Sequence, residues 1–289
     1  MKQVSVIIPV FNNQKTLERA IFSVLNDPLV SEVIIVDDGS TDGSYTLSQE
    51  LAEKFPAVCL LAHRNRENKG AAASRNLALT KAKSNWIQFL DADDELINGK
   101  LEGQINLVSS EIAFVVGNSV HVFPDGRGHN RTSDKYIWKG LIRSKLGDTC
   151  SNLWNKKYLL MVGGWNENLS SSQEYELMFR LVTRQPNIVY DRRYLTLIHK
   201  TENSISTDPN KKMQRISNWL DLRNRIRRHL IENGQFHLYN KCYWSGAVGI
   251  FCDQNQMDFP ITVNKVMYKM YKIEISIKKN IYNLFKLNE

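Results

Sequence analysis

The ten residues Trp86-Ile87-Gln88-Phe89-Leu90-Asp91-Ala92-Asp93-Asp94-Glu95 lead from an apolar, strand-like stretch directly into four carboxylates. Grouped carboxylates repel one another and resist losing water, so something positive must offset them. A hard divalent cation shared with a phosphorylated ligand does this economically, because Mg²⁺ and Mn²⁺ take oxygen ligands and readily share them with phosphate. An Asp-x-Asp spacing alone is also what a polar turn before a helix looks like. The rest of the chain has to decide between the two.

A second acidic pair, Asp37-Asp38, follows another apolar run and is itself followed by Gly39-Ser40-Thr41-Asp42. That sequence supplies a turn and a helix cap. Capping needs one acid, which leaves its neighbour to accept from a base N–H or a ribose hydroxyl. Phe11, just after Ile8-Pro9-Val10, offers a ring for stacking on a base. In Asn68-Lys69-Gly70-Ala71-Ala72-Ala73-Ser74-Arg75-Asn76 the small residues let a helix start close beneath a ligand. Arg75 has two readings, pairing with Asp91 or contacting a phosphate directly.

These residues need a scaffold that brings strand ends together. Short apolar runs alternate with helical periodicity through about residue 95, the pattern of βαβ units and a mostly parallel sheet. Strands are predicted at Val4–Val10, Val33–Val36, Val58–Ala62 and Trp86–Leu90, with a helix over Gln14–Leu25 that puts Leu17, Ala20, Ile21, Val24 and Leu25 on one face. In such sheets ligands sit beyond the carboxyl ends of the strands. The loops after Val10, Val36 and Leu90 therefore converge on one edge. Further on, the pattern predicts a helix at Gly99–Ser109, a strand at Ile112–His121, a loop over Phe123–Asp134, and order again at Trp154–Val162. A turn at Gly163-Gly164-Trp165-Asn166 precedes a helix from about Ser172 to Arg184 and a strand around Asn187–Ile198. From Asp208 the segments are helical and rich in Lys, Arg, Asn and aromatics, which sets a boundary near residue 206.

With 289 residues, 42% hydrophobic and 24% charged, the chain is long enough to bury a sizeable core. A net charge of +8 suits an anionic partner. Cys59, Cys150, Cys242 and Cys252 are scattered without Cys-x-x-Cys spacing and read as reduced thiols. The start at Met1 runs straight into β-branched residues rather than a secretory signal, and no apolar run approaches the ~20 residues needed to span a bilayer. A cytoplasmic location is expected, with peripheral membrane attachment open. Two basic regions mark the C-terminal part. Arg215 to Arg228 includes Arg223, Arg225, Arg227 and Arg228, and a second stretch interleaves Lys265, Lys269, Lys272, Lys278, Lys279 and Lys286 with apolar residues. A basic amphipathic helix suits an anionic membrane face, while the competing reading packs these helices on the rest of the protein with a solvated Lys face. A nucleic-acid-binding module also fits the charge, but it has no use for an acid cluster that repels phosphate in the absence of metal.

Four motifs then fall into register. Val6-Ile7-Ile8-Pro9-Val10-Phe11-Asn12, Val36-Asp37-Asp38-Gly39-Ser40-Thr41-Asp42, Asn68-Lys69-Gly70 with Ser74-Arg75-Asn76, and Phe89-Leu90-Asp91-Ala92-Asp93-Asp94 resemble, in order and spacing, the motifs of family-2 glycosyltransferases with the GT-A fold. The resemblance covers residues 1 to about 205. It implies an α/β fold with a Rossmann-like mixed sheet flanked by helices, comprising a catalytic domain at 1–205 and a basic helical extension at 206–289. Within the catalytic domain, about 1–95 would form the nucleotide-sugar half and 96–205 the acceptor half.

The implied activity is inverting, metal-dependent transfer from a nucleotide sugar, most often a UDP-sugar, to a hydroxyl of a glycan or lipid-linked glycan in bacterial surface-polysaccharide synthesis. By the same resemblance, Pro9, Phe11, Asn12 and Asp38 look like contacts to the base and nearby sugar. Gly70, Arg75, Asp91 and Ala92 complete the donor set. Asp93 looks like the ligand for Mn²⁺ or Mg²⁺, and Asp94 is either a further site residue or a helix cap. His199 falls where relatives place a metal-proximal histidine, a ligand that Mn²⁺ accepts more readily than Mg²⁺. The family's base lies in a Glu-Asp pair after a Gly-Gly-aromatic turn. Here Gln173 replaces the glutamate and Glu174 stands at the aspartate position, with Glu176 as the rival base. The loss of one acid keeps open an idle, binding-only relative.

Overall fold

The computed structural model describes residues 2–185, 187–200 and 209–286. The expected boundary near 206 lies outside the described residues. The chain divides into two compact units, one built from residues 1–133 with 146–214 and the other from 134–145 with 215–289. Residues 134–145, expected within the acceptor half, thus pack in the second unit.

In the first unit, β1 (Val4–Val10), α1 (Leu17–Leu25), β2 (Val30–Asp37), α2 (Ser44–Lys54), β3 (Val58–Ala62), α3 (Ala71–Lys81) and β4 (Trp86–Phe89) follow one another as parallel strands with intervening helices. Alternation along β1 explains its two buried faces. Val4, Val6, Ile8 and Val10 join Leu17, Ala20, Ile21 and Val24 of α1 in one core cluster. On the other side α3 packs against β1 and β2.

Next come β5 (Glu95–Leu96), α4 (Lys100–Ile105), β6 (Phe114–Gly117), β7 (Ser119–Val122) and β8 (Gly128–Arg131). After them follow α5 (Ile137–Arg143), β9 (Leu153–Asn155), α6 (Lys156–Met161), α7 (Gln173–Arg184), β10 (Ile188–Asp191) and β11 (Thr196–His199). The large sheet has the order β10-β6-β9-β4-β1-β2-β3 and a smaller one the order β5-β11-β7-β8. All described pairings in the large sheet are parallel except those of β9, which runs against both β4 and β6.

Two expected strands prove to be strand pairs. Ile112–His121 divides into β6 and β7, and Asn187–Ile198 into β10 and β11, each pair changing sheets at its break. Gly117 allows the first change, because a Cβ there would lie 2.0 Å from the Ser151 carbonyl oxygen. The neighbouring Asn118 donates to the Arg192 carbonyl (2.7 Å) and accepts from the Ser133 amide (2.8 Å), so the two breaks are tied together. The expected loop at Phe123–Asp134 instead contains β8, which pairs antiparallel with β7 through a tight turn at residues 123–127. The helix expected at Gly99–Ser109 spans only Lys100–Ile105.

The second unit holds α5 with α8 (Lys212–Glu232), α9 (Leu238–Gln254) and α10 (Lys265–Lys286). Its most buried charge is Arg223, whose Nε donates to the Ile142 carbonyl (3.2 Å) and whose guanidinium lies over the Trp219 ring (4.1 Å). Trp219 in turn stacks on Phe251 at 3.9 Å. Along α10, Val266, Met270, Ile273 and Ile277 are exposed. Among the described residues, no helix is long and apolar enough to cross a membrane.

Candidate functional site

Parallel β1, β2 and β4 end side by side, so the loops after Val10, Asp37 and Phe89 meet at one sheet edge. The first two are clipped together. Asn12 accepts through Oδ1 from the Thr41 amide (2.8 Å) and its own amide donates to Ser40 Oγ (3.1 Å). Asn12 is thus a structural link in this structure, holding up the neighbouring Phe11, which is exposed, while Pro9 is half-buried in β1.

Asp37 and Asp38 divide their work. Asp37 accepts from the Gly39 and Ser40 amides (3.2 and 3.3 Å), making the turn. Asp38 is buried and accepts from the Lys69 amide (2.8 Å) and the Gly70 amide (2.9 Å), with His63 Nε2 at 3.5 Å. Its carboxylate therefore holds the loop that starts α3. Gly39 makes this approach feasible, since a Cβ would meet the Arg66 carbonyl oxygen at 2.6 Å. His63 also contacts Ser74 Oγ (3.0 Å). His63 carried no spacing signal in the sequence.

At the end of β4 the four acids sort by partner. Arg75, buried on α3, donates through Nη2 to Asp91 Oδ1 at 2.6 Å, and its guanidinium lies 4.7 Å from the Trp165 ring. Ala92 is buried in the core cluster. Asp94 is buried and accepts from the His199 amide (2.9 Å) and the Cys150 thiol (3.3 Å), so it ties the acid loop to β11 rather than capping a helix. Glu95 Oε1 receives Arg19 Nε (3.2 Å) and His199 Nε2 (2.7 Å).

Asp93 remains. Its backbone carbonyl accepts from Arg19 (2.6 Å), but its carboxylate forms no ion pair with any described residue. Burial and the Asp91 charge raise its pKa above the usual carboxylate value, against smaller lowering effects of its own backbone amide, His199 and Arg19. Burial, Asp91 and Asp93 likewise push Asp94 well up. The loop thus carries more negative charge than its protein partners balance. That fits a hard divalent cation at oxygen ligands. Ligand atoms of Asp91, Asp94 and Cys150 lie within 4.8 Å of one another. Burial pushes the Cys150 thiol well up, leaving it a proton donor to Asp94 rather than a thiolate. Asp93 and His199 lie outside that trio.

Helix α7 follows the turn at Gly163-Gly164, both at positive φ. Trp165 from this turn packs on Phe89 of β4 (5.2 Å), and Asn76 accepts from the Trp165 amide (2.8 Å). In the first turn of α7, Glu176 is buried and gripped by Arg180, with Nη2 to Oε2 at 2.8 Å and Nε to Oε1 at 3.0 Å. Half-buried Glu174 forms no ion pair with any described residue. Burial raises its pKa, Asp148 raises it further, and Arg75 and Arg131 act the other way. Glu174 is therefore a carboxylate of enhanced basicity with room to accept a proton. Asp148 and Arg131 were not singled out from the sequence.

Residues 5–162 match the family model described as Glycosyl transferase family 2. Among curated proteins, an uncharacterized glycosyltransferase of Haemophilus influenzae is 37% identical over 131 residues, 45% of this chain and 51% of that protein. The UDP-Glc:alpha-D-GlcNAc-diphosphoundecaprenol beta-1,3-glucosyltransferase WfaP of Escherichia coli is 32% identical over 126 residues, 43% of this chain and 49% of that protein. The chain thus spans about half the length of each. Among solved structures, residues 1–349 of Staphylococcus aureus TarS in complex with UDP-GlcNAc give a TM-score of 0.63 at 17% identity, covering 92% of this chain and 82% of that one. The mannosyltransferase PcManGT of Pyrobaculum calidifontis, in complex with GDP-Man and Mn²⁺, gives 0.60 at 15% identity, covering 96% and 86%. At these identities the likeness is one of fold.

Proposed function

The chain belongs to glycosyl transferase family 2 and has the GT-A fold, and from that premise we propose that it moves a sugar from a nucleotide diphosphate, a UDP-sugar, to a hydroxyl of a glycan or lipid-linked glycan in surface-polysaccharide synthesis. The observation that carries the reading is the half-buried Asp93 carboxylate, which forms no ion pair with any described residue in a loop whose other acids are engaged. The complexes of TarS with UDP-GlcNAc and of PcManGT with GDP-Man and Mn²⁺, and the UDP-Glc in the name of WfaP, support it.

Asp93 would hold Mn²⁺ or Mg²⁺, with His199 contributing as its imidazole turns from Glu95. When bound, such a cation neutralises the leaving diphosphate. The protein's own residues do the rest. Phe11, Pro9 and the loops clipped by Asn12 and Asp38 seat the nucleotide, with Gly70 and Ala92 lining the donor side. Arg75 holds Asp91 toward the donor. Glu174 takes the proton of the acceptor hydroxyl as its oxygen bonds to the anomeric carbon, while the bond to the diphosphate oxygen breaks, so the configuration inverts. Because Glu176 is spent on Arg180, Glu174 is the base.

The catalytic part is residues 1–205, and the helices that follow give peripheral contact with an anionic membrane. On α10 the exposed Val266, Met270, Ile273 and Ile277 recur at helical spacing beside a row of Lys265, Lys269 and Lys272. The WfaP name, with its diphosphoundecaprenol acceptor, agrees with a lipid-linked substrate at such a surface.

Thermal shift with Mn²⁺ and UDP tests the donor site. Ligand at one hundred times its dissociation constant stabilises the fold by about 2.7 kcal/mol. Wild type should gain stability from the pair, and Asp93→Ala should not. An equal gain in Asp93→Ala would overturn the role of Asp93.

A further inference from the structure

A second buried polar cluster borders Glu174, apart from the acid loop. Asp148, in the segment before β9, accepts from Arg131 Nε through Oδ1 (2.9 Å) and from Ser119 Oγ through Oδ2 (2.5 Å). His121 Nε2 stands 3.7 Å from Asp148 Oδ2. Arg131, at the end of β8, also donates through Nη2 to the Tyr175 hydroxyl (3.2 Å), which itself donates to the Gly147 carbonyl (2.7 Å). Tyr175 is buried and follows Glu174 directly in the first turn of α7. Three segments distant in sequence thus meet at the residue next to the candidate base.

Both members of the pair stay charged. The nearby His121, the Arg131 charge and the Ser119 hydrogen bond outweigh burial and hold the Asp148 carboxyl at about 2, and the carboxylate raises Arg131 further. Besides burial and its own backbone amide, the charges acting on Glu174 are then Asp148, which opposes its ionisation, and Arg75 and Arg131, which favour it. Tyr175 remains a neutral phenol, its pKa driven up by burial.

We propose that Arg131 and Asp148 are a positioning pair for Glu174: through Tyr175 they fix the first turn of α7, and as two lasting opposite charges they set the field that this carboxylate meets. The proposal rests on Glu174 as the base and adds what tunes it. A purely structural pair would loosen the same turn whichever member was removed. A pair acting through charge gives opposite effects from its two halves.

The test is a pH titration of the full chain labelled with ¹³C at glutamate side-chain carboxyls, with the Glu174 signal assigned by its loss in Glu174→Gln. Arg131→Met removes a cation and should move the Glu174 midpoint up by about half a pH unit or more, and Asp148→Asn removes an anion and should move it down by a similar amount. Arg131→Lys should restore the wild-type midpoint, and the double variant should lie between the singles. Shifts of the same sign, or no shift, overturn the proposal. If Arg131→Met does not fold, Asp148→Asn carries the same sign test alone. Full turnover by Glu174→Gln would instead remove the base reading while leaving any opposed shifts standing.

Discussion

Arg75 and Asp91 are joined at 2.6 Å across the gap between α3 and the end of β4, with the Arg75 guanidinium backed by the Trp165 ring. This is the only cation paired with an aspartate side chain of the acid loop among the described residues. Arg75 thus joins three elements, helix, strand end and the turn before α7, at one charge.

Replacing Arg75 by Met leaves Asp91 beside Asp93 and Asp94 with no cation to offset it. Asp91 is about a third exposed, which screens part of the cost. We expect a loss of about 2 kcal/mol in denaturant unfolding, below the usual cost of breaking a fully buried pair. Arg75→Lys should recover part of the loss but lacks the planar group that stacks on Trp165. An unchanged unfolding midpoint in Arg75→Met would show that the contact contributes nothing.

Turnover should depend on the ionised form of Glu174. Burial sets its pKa above the ordinary 4.5, so the rate should fall as pH drops through that raised value and level off above it. Glu174→Gln should lower the rate by about 10²–10⁴-fold while leaving the Mn²⁺ and UDP thermal shift intact. Steady-state rates with Mn²⁺, a UDP-sugar and a glycan acceptor read the first effect, and the thermal shift reads the second. A variant that binds UDP poorly would place Glu174 in the donor seat instead.

Flotation with vesicles checks the C-terminal helices. The full chain should float with vesicles containing anionic phospholipid and stay behind with zwitterionic ones. Each Lys near an anionic surface is worth about 1 kcal/mol. Lys265→Glu with Lys269→Glu should therefore weaken binding by about tenfold or more. Equal flotation of wild type and variant would argue against this face.

The strands that end at the site were legible because each is a short apolar run stopped by acids or by Pro-x-Phe-Asn, a pattern set by burial on both faces of a parallel sheet. Val4–Val10 and Val58–Ala62 have the expected bounds. What the sequence hid depends on long-range closure. β8 reads Gly-His-Asn-Arg, with no apolar alternation, and exists because β7 offers it a partner. The break at Gly117–Asn118 interrupts an apolar run that looks continuous until the Ser151 carbonyl approaches. Asp38 reads as a ligand contact, but its two amide donors come from the far side of a crossover through β3. Arg131 and Asp148 are separated by α5, an element of the other unit, and no local spacing could couple them.

The reversed direction of β9 has a consequence for where the site draws its parts. A parallel strand hands its downstream residues to the carboxyl edge of the sheet. β9, pointing the other way, delivers its upstream residues to that same edge. Asp148, Cys150 and Ser151 all precede it, and Cys150 meets both the Asp91 amide and the Asp94 carboxylate there. One inverted strand therefore lets a polar tract from the middle of the chain face the acid loop without a helical crossover to carry it. Length changes just before Leu153 would retune the site, whereas equal changes just after Asn155 would fall at the opposite rim.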